Sequence, residues 1–209
     1  MATHSTVHRY TIPIHSARPK GAPRYEFYAP KIGRRVTLFT PLQVRFWTLL
    51  ESAPLVHSYC ERPAYWEAVE GRRLTDFWVK AGPREACCIL ADDVRPGRVG
   101  TLSSSLDIGV RYVAAGSLAS RSVWIDNWVR ILPYLTLNAR LVNERLVRDI
   151  ERASVAAPTL AQLECDFQPN DIVLVRTAVF MLLHRGSIKA DALRLLPLGP
   201  GTVFRRALV

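Results

Sequence analysis

The residues in this chain best equipped for chemistry are its cations. Arg18, Lys20, Arg24, Lys31, Arg34 and Arg35 interleave with Tyr25, Phe27 and Tyr28 in one stretch. A guanidinium grips phosphate with a two-pronged fork and an aromatic ring stacks on a base, so this pattern suits an extended arm that follows a nucleic-acid backbone. Pro19, Pro23 and Pro30 break the stretch and keep it out of a helix. A solvated leader has the same composition, and the sequence leaves both readings open. Farther on, Arg72 and Arg73 precede Asp76, which reads as a turn-proximal aspartate ion-paired with one of them.

The thiols and imidazoles carry less. Cys60, Cys87, Cys88 and Cys165 form no CxxC pair, and Cys87 and Cys88 lie in the apolar run ACCILA with no histidine nearby. They read as reduced core residues of a cytoplasmic protein, with no structural metal and no disulfide. His4, His8 and His15 stand at no metal-ligand spacing, and His57 and His184 read as surface or capping residues.

The charge balance agrees with a polyanion partner. The 209 residues hold 28 Lys and Arg against 18 Asp and Glu, a formal charge of +10, yet 49% are hydrophobic, enough for a packed core. The first 40 residues carry seven bases and one acid, whereas residues 41–90 balance at six against six. A localised excess marks a contact surface more than an even one does. Of the basic residues 24 are Arg and only 4 are Lys, a bias that phosphate recognition and a GC-rich genome both produce. No run approaches the ~18 apolar residues of a membrane span, and the N-terminus lacks a secretory apolar region, so membrane and secreted classes are disfavoured.

The elements that must position these residues read as follows. Thr40-Pro41-Leu42-Gln43 predicts a helix start, with Thr40 as N-cap, Pro41 in the first turn and Gln43 closing a capping box; the helix runs to about Glu51. Val56–Cys60 and Tyr65–Val69 predict strands, Glu70-Gly71 a turn, and Leu74–Val79 the returning strand. ACCILA, Ala86–Ala91, predicts a central strand buried on both faces. Asp92–Ser105 reads as a loop and Val110–Ala114 as a further strand. A helix follows around Val123–Leu135, interrupted at Pro133, and another over Leu137–Ile150. After a linker at Val155–Pro158, Thr159 caps a short helix, Asp171 begins a second and Ile188–Leu195 forms a third. Pro197–Arg206, with its Gly-Pro-Gly tip, then predicts a β wing. Trp47, Trp66, Trp78, Trp124 and Trp128 read mostly as core by their spacing.

An acid on a helix, an acid ending a hairpin strand and a following strand with (Glu/Gln)-x-Lys is the plan of restriction-endonuclease-like nucleases. Within that plan the chain resembles the TnsA-like family, the endonuclease subunit of heteromeric bacterial transposases. The resemblance runs from about Pro30 to Arg206. It rests on Lys31-Ile-Gly-Arg-Arg35, Thr40-Pro-Leu-Gln43, Leu49-Leu-Glu-Ser-Ala-Pro54, Val56-His-Ser-Tyr-Cys-Glu-Arg-Pro63, Leu74-Thr-Asp-Phe-Trp-Val79, Asn127-Trp128 with Leu132-Pro-Tyr-Leu135, and the tail Ala178–Leu183, Gly186-Ser-Ile188 and Leu198–Phe204.

The resemblance implies an α/β chain in three parts: a basic arm (1–29), a restriction-endonuclease-like domain (30–154) and a winged-helix-like α-helical domain (155–209). It places the family's first acid on Gln43 and its second on Asp76. The (Glu/Gln)-x-Lys strand falls on Cys88–Ala91, where ACCILA offers neither acid nor lysine. A neutral amide is a poor ligand for a hard dication. The implied protein binds the double-stranded DNA of transposon ends through Arg18, Lys20, Arg24, Lys31, Arg34, Arg35, Arg72 and Arg73. It scaffolds a DDE transposase subunit and an AAA+ ATPase, and is defective in cutting 5′ strands. Asp76 is then a vestigial metal position and no cofactor is expected. Two alternatives stand beside this reading. One is an active Mg²⁺ endonuclease whose rearranged site uses Asp76, Glu85 and Glu51 or Glu61; the other is a winged-helix DNA-binding regulator acting through residues 155–209.

Overall fold

The computed structural model describes residues 9–68, 71–92, 100–102 and 108–207. The chain divides into two compact units, Met1–Trp47 with Leu55–Ala119 and Thr48–Pro54 with Ser120–Val209. It is mixed α/β, with a multi-stranded mixed sheet in the first unit and most of the helix in the second.

The first unit opens on a hairpin, β1 (Tyr25–Ala29) and β2 (Arg34–Leu38), paired from Tyr25↔Leu38 to Ala29↔Arg34. This corrects the extended arm. Tyr25, Phe27 and Ala29 alternate with period two against Val36 and Leu38, and the prolines flank the strand without interrupting it. Gly33, at φ +63, supplies the left-handed turn residue. The ring of Phe27 stacks on Trp47 at 4.6 Å, so the aromatic interleaving serves the core.

Helix α1 (Pro41–Ser52) follows, then β3 (Val56–Glu61), β4 (Tyr65–Ala68), β5 (Gly71–Leu74), β6 (Phe77–Ala81), β7 (Arg84–Ala91), β8 (Gly100–Leu102), β9 (Gly109–Ala114) and the short α2 (Ala115–Ala119). The main sheet has the order β3-β6-β7-β9, antiparallel except for the parallel pair β7-β9. A parallel return needs a crossover of about a dozen residues or more, and residues 92–108 provide it. β7 is central and buried at Cys87, Cys88, Ile89 and Leu90, as its apolar run requires.

One face of this sheet carries Tyr59, Phe77 and Cys88 toward α1, where Phe46 meets Phe77 edge-on at 5.3 Å and Trp47 donates to the Tyr59 hydroxyl at 2.6 Å. The other face buries Cys60, Trp78 and Cys87 with Ile108. Two expectations change. The strand that returns against β4 is Gly71–Leu74, while Phe77–Ala81 belongs to the main sheet; β4 and β5 form a second sheet with β8. Three residues of the expected loop, Gly100–Leu102, are thus a strand, because β4 has a second edge to satisfy. Val69, Glu70 and the rest of that loop, apart from Asp92, lie outside the described residues.

The second unit contains α3 (Ser122–Asn138), α4 (Glu144–Ala153), α5 (Leu160–Asp166), α6 (Ile172–Arg185), β10 (Ile188–Lys189) and β11 (Arg205–Arg206), with 3-10 turns at Ala139–Leu141, Ser154–Ala156 and Asp191–Arg194. Ile125, Trp128, Ile131, Leu132, Leu135, Val175, Phe180 and Leu183 form its core. Pro133 does not interrupt α3; it sits on the exposed face and its carbonyl accepts from Thr136. The next helix begins at Glu144, behind the N-cap Asn143, and not at Leu137.

Thr159 caps α5 as expected and with Gln162 makes a reciprocal capping box, and Asp171 caps α6 through Val173 N. The expected third helix is instead the two-residue strand β10 and one 3-10 turn. The expected wing is replaced by pairing of β10 with β11. Gly186, at φ +80 with Pro54 packed against it, and Ala157, at φ +53, bend the chain where helix would otherwise continue. Among the described residues no helix is long and apolar enough to cross a membrane.

Candidate functional site

The residues singled out by the sequence meet at the start of α1. Gln43 lies in the first turn, and its backbone N–H donates to Thr40 Oγ1 at 3.1 Å. Its side chain was expected to close the box on Thr40. Instead Oε1 accepts from Phe39 N at 2.8 Å, and Nε2 donates to Asp76 Oδ1 at 2.9 Å. Only an amide can do both, because one end must accept an N–H and the other must donate to a carboxylate.

Asp76 is held as firmly. Its N–H donates to Cys88 O at 3.0 Å and its carbonyl accepts from Arg62 N at 2.9 Å, which fixes it just ahead of β6. Its second carboxylate oxygen, Oδ2, accepts from Leu90 N at 2.8 Å. Arg73 adds a loose ion pair at 3.8 Å while donating to Leu90 O at 3.2 Å. Arg73 is half exposed, so its Coulombic contribution is small. Arg72 turns away and lies over the Tyr65 ring at 4.1 Å.

Cys88 and Leu90, two apart on β7, share one face of the strand beside Asp76. Burial pushes the Cys88 thiol up to about 12, with help from Cys87 and Asp76 and against the pull of Arg111, so it is neutral and neither a nucleophile nor a soft ligand near neutral pH. Burial likewise raises Cys87 to about 11 and Cys60 to about 12. The corner thus presents an amide, one carboxylate, a thiol and a leucine. Asp76 is the one carboxylate at this corner, and the amide, neutral thiol and leucine beside it supply no second charged oxygen ligand of the kind a magnesium site uses. Among the described residues no three His, Cys, Asp or Glu side chains converge to hold a metal ion.

The other acids considered for a rearranged site are engaged elsewhere. Glu61 is buried and takes both prongs of Arg34, at 2.6 and 2.9 Å, with Arg62 at 3.9 Å. Burial alone lowers the Arg34 pKa, but the hydrogen bond and charge of Glu61 outweigh it and the net shift is upward; for Arg62 burial wins and the shift is downward. Glu85 accepts from Trp78 Nε1 at 3.3 Å and pairs with Lys80 at 3.5 Å. In the second unit, Glu51 is fully buried with His184 Nε2 at 2.9 Å, which moves His184 from a surface role to a core one.

The cations of the expected arm separate in the same way. Arg34 serves Glu61, Lys31 donates to Val56 O at 2.9 Å, and Arg24 pairs with Glu26 at 2.6 Å. Arg18, Lys20 and Arg35 are exposed. Sequence reasoning missed the Leu90 N–H, because no side-chain pattern announces a backbone donor. It also missed that Gln43 is a two-ended connector, joining Phe39 N to Asp76. No protein-family model matches the chain, and no curated protein matches it.

Proposed function

We propose that the chain is a TnsA-like subunit of a heteromeric transposition complex that binds transposon-end DNA and scaffolds its partners without cutting 5′ strands. The observation that carries the reading is the closed corner. On this reading an amide on a helix, an aspartate ahead of β6 and two same-face positions on the next strand correspond to the site positions of a restriction-endonuclease-like nuclease. Here they are joined by Gln43–Asp76 and Asp76–Leu90 hydrogen bonds in place of a cation. The antiparallel run β3-β6-β7 followed by a parallel strand supports the same reading of the fold. The basic surplus supports a DNA partner, steering the chain to phosphate by charge.

Chemically, hydrolysis of a phosphodiester needs an ion to polarise the scissile phosphate and lower the pKa of the attacking water. The corner offers neither the ligands nor a lysine, so the subunit's contribution is to hold DNA and partners in register. Transposition reconstituted with this subunit, its transposase and its ATPase tests this through the insertion junctions. Cointegrates with 5′ flanks still attached are expected; simple insertions that require this subunit overturn the reading.

A further inference from the structure

The sequence places the DNA-contacting charge near the N-terminus, yet the second unit carries a cluster of cations of its own. From His184 to Ala207 the chain carries Arg185, Lys189, Arg194, Arg205 and Arg206 against one acid, Asp191. Two of these have structural explanations. Arg185 closes α6, where the negative end of the helix dipole favours it, and Arg194 lies over the Trp124 ring at 4.9 Å.

The remaining three stand on the β10–β11 pair. Lys189 and Arg205 are directly opposed across the β10–β11 pair, an arrangement of like charges that weakens a strand pair. Asp191 reaches Arg205 alone, which leaves Lys189 without a carboxylate among the described residues. Arg206 is exposed although its cross-strand partner Ile188 is buried, so its guanidinium leaves the packed face for solvent. The backbone beneath them is pinned. Ala207 N donates to Ser187 O at 2.8 Å, Gly186 N–H and Ser187 N–H cap the end of α6, and a Cβ on Gly186 would sit 2.7 Å from Pro54. A polyanion laid across this pair would relieve the repulsion between Lys189 and Arg205 while the backbone beneath stays fixed.

We propose that the β10–β11 edge, through Lys189, Arg205 and Arg206, is a contact surface for the phosphate backbone of double-stranded DNA. The proposal rests on the DNA-binding reading above and names the surface that performs it. Such contacts position the duplex and carry no sequence information. They also release counterions, so each one adds about 0.9 to the slope of log affinity against log salt.

The test is a salt titration of the full chain with a labelled ~30-base-pair duplex of arbitrary sequence. For Lys189→Gln/Arg205→Gln the slope falls by about 1.8, so that the wild type's advantage shrinks about tenfold between 50 and 200 mM salt. Arg206→Gln alone lowers the slope by about 0.9. Arg148→Gln, which removes an exposed arginine paired with Glu144 on α4, leaves the slope unchanged. Wild type that binds while all these variants keep its slope overturns this surface and spares the DNA reading. Wild type that fails to bind at low salt overturns both.

Discussion

The corner around Asp76 and the β10–β11 edge differ in where their polar groups are spent. At Asp76 each carboxylate oxygen accepts a protein donor and Gln43 uses both ends of its amide, so the fold ties down the group that looks catalytic in the sequence. At β10–β11 Lys189 and Arg205 oppose each other, and Lys189 and Arg206 have no acid partner among the described residues. Availability separates the two regions: a group that works on a ligand must keep a valence the fold does not use.

The comparison predicts graded losses. The largest is at Glu61, which places Arg34 with the structural cations. Glu61→Gln leaves two part-buried guanidiniums without their counter-charge and costs about 3 kcal/mol in urea unfolding, while DNA affinity at fixed salt is unchanged. Next come the thiols. Cys60, Cys87 and Cys88 stay protonated in the fold up to about 11 or 12, whereas unfolded thiols ionise near ~8.5. Above that pH the unfolded state binds fewer protons than the folded one, so stability is complete below it and falls as pH rises. The loss is up to about 1.4 kcal/mol per pH unit for each thiol, read from urea midpoints between pH 8 and 11.

Gln43→Glu sharpens the contrast at the site itself. It sets a second carboxylate against Asp76 Oδ1, removes a donor, and costs about 1.5 kcal/mol at pH 7. The smallest effect belongs to Arg18 and Lys20. Replacing both by Gln shifts the unfolding midpoint by less than about 0.5 kcal/mol, since neither is packed.

Much of the first unit is legible in the sequence for physical reasons. ACCILA announces β7 because a strand covered on both faces has nowhere to put a polar residue, and Thr40-Pro-Leu-Gln43 announces α1 because orphan N–H groups need partners. The N-terminal hairpin was obscured because its cations and prolines resemble a solvated arm, while the alternation Tyr25, Phe27, Ala29 was the stronger signal. The C-terminal strands are two residues long, too short for any periodicity to register. Gln43 was legible as a first-turn residue of α1, but its bond to Asp76 links positions 33 residues apart in the chain and depends on the fold. The Glu51–His184 pair, 133 residues apart, is illegible for the same reason.

The central claim is that the Asp76 corner is closed to a catalytic cation. Its most direct test is nicking of supercoiled plasmid by the purified chain in Mg²⁺ or Mn²⁺, with Asp76→Ala in parallel. The account predicts that both proteins leave the plasmid supercoiled. Metal-dependent nicking by the wild type that disappears in Asp76→Ala would contradict it.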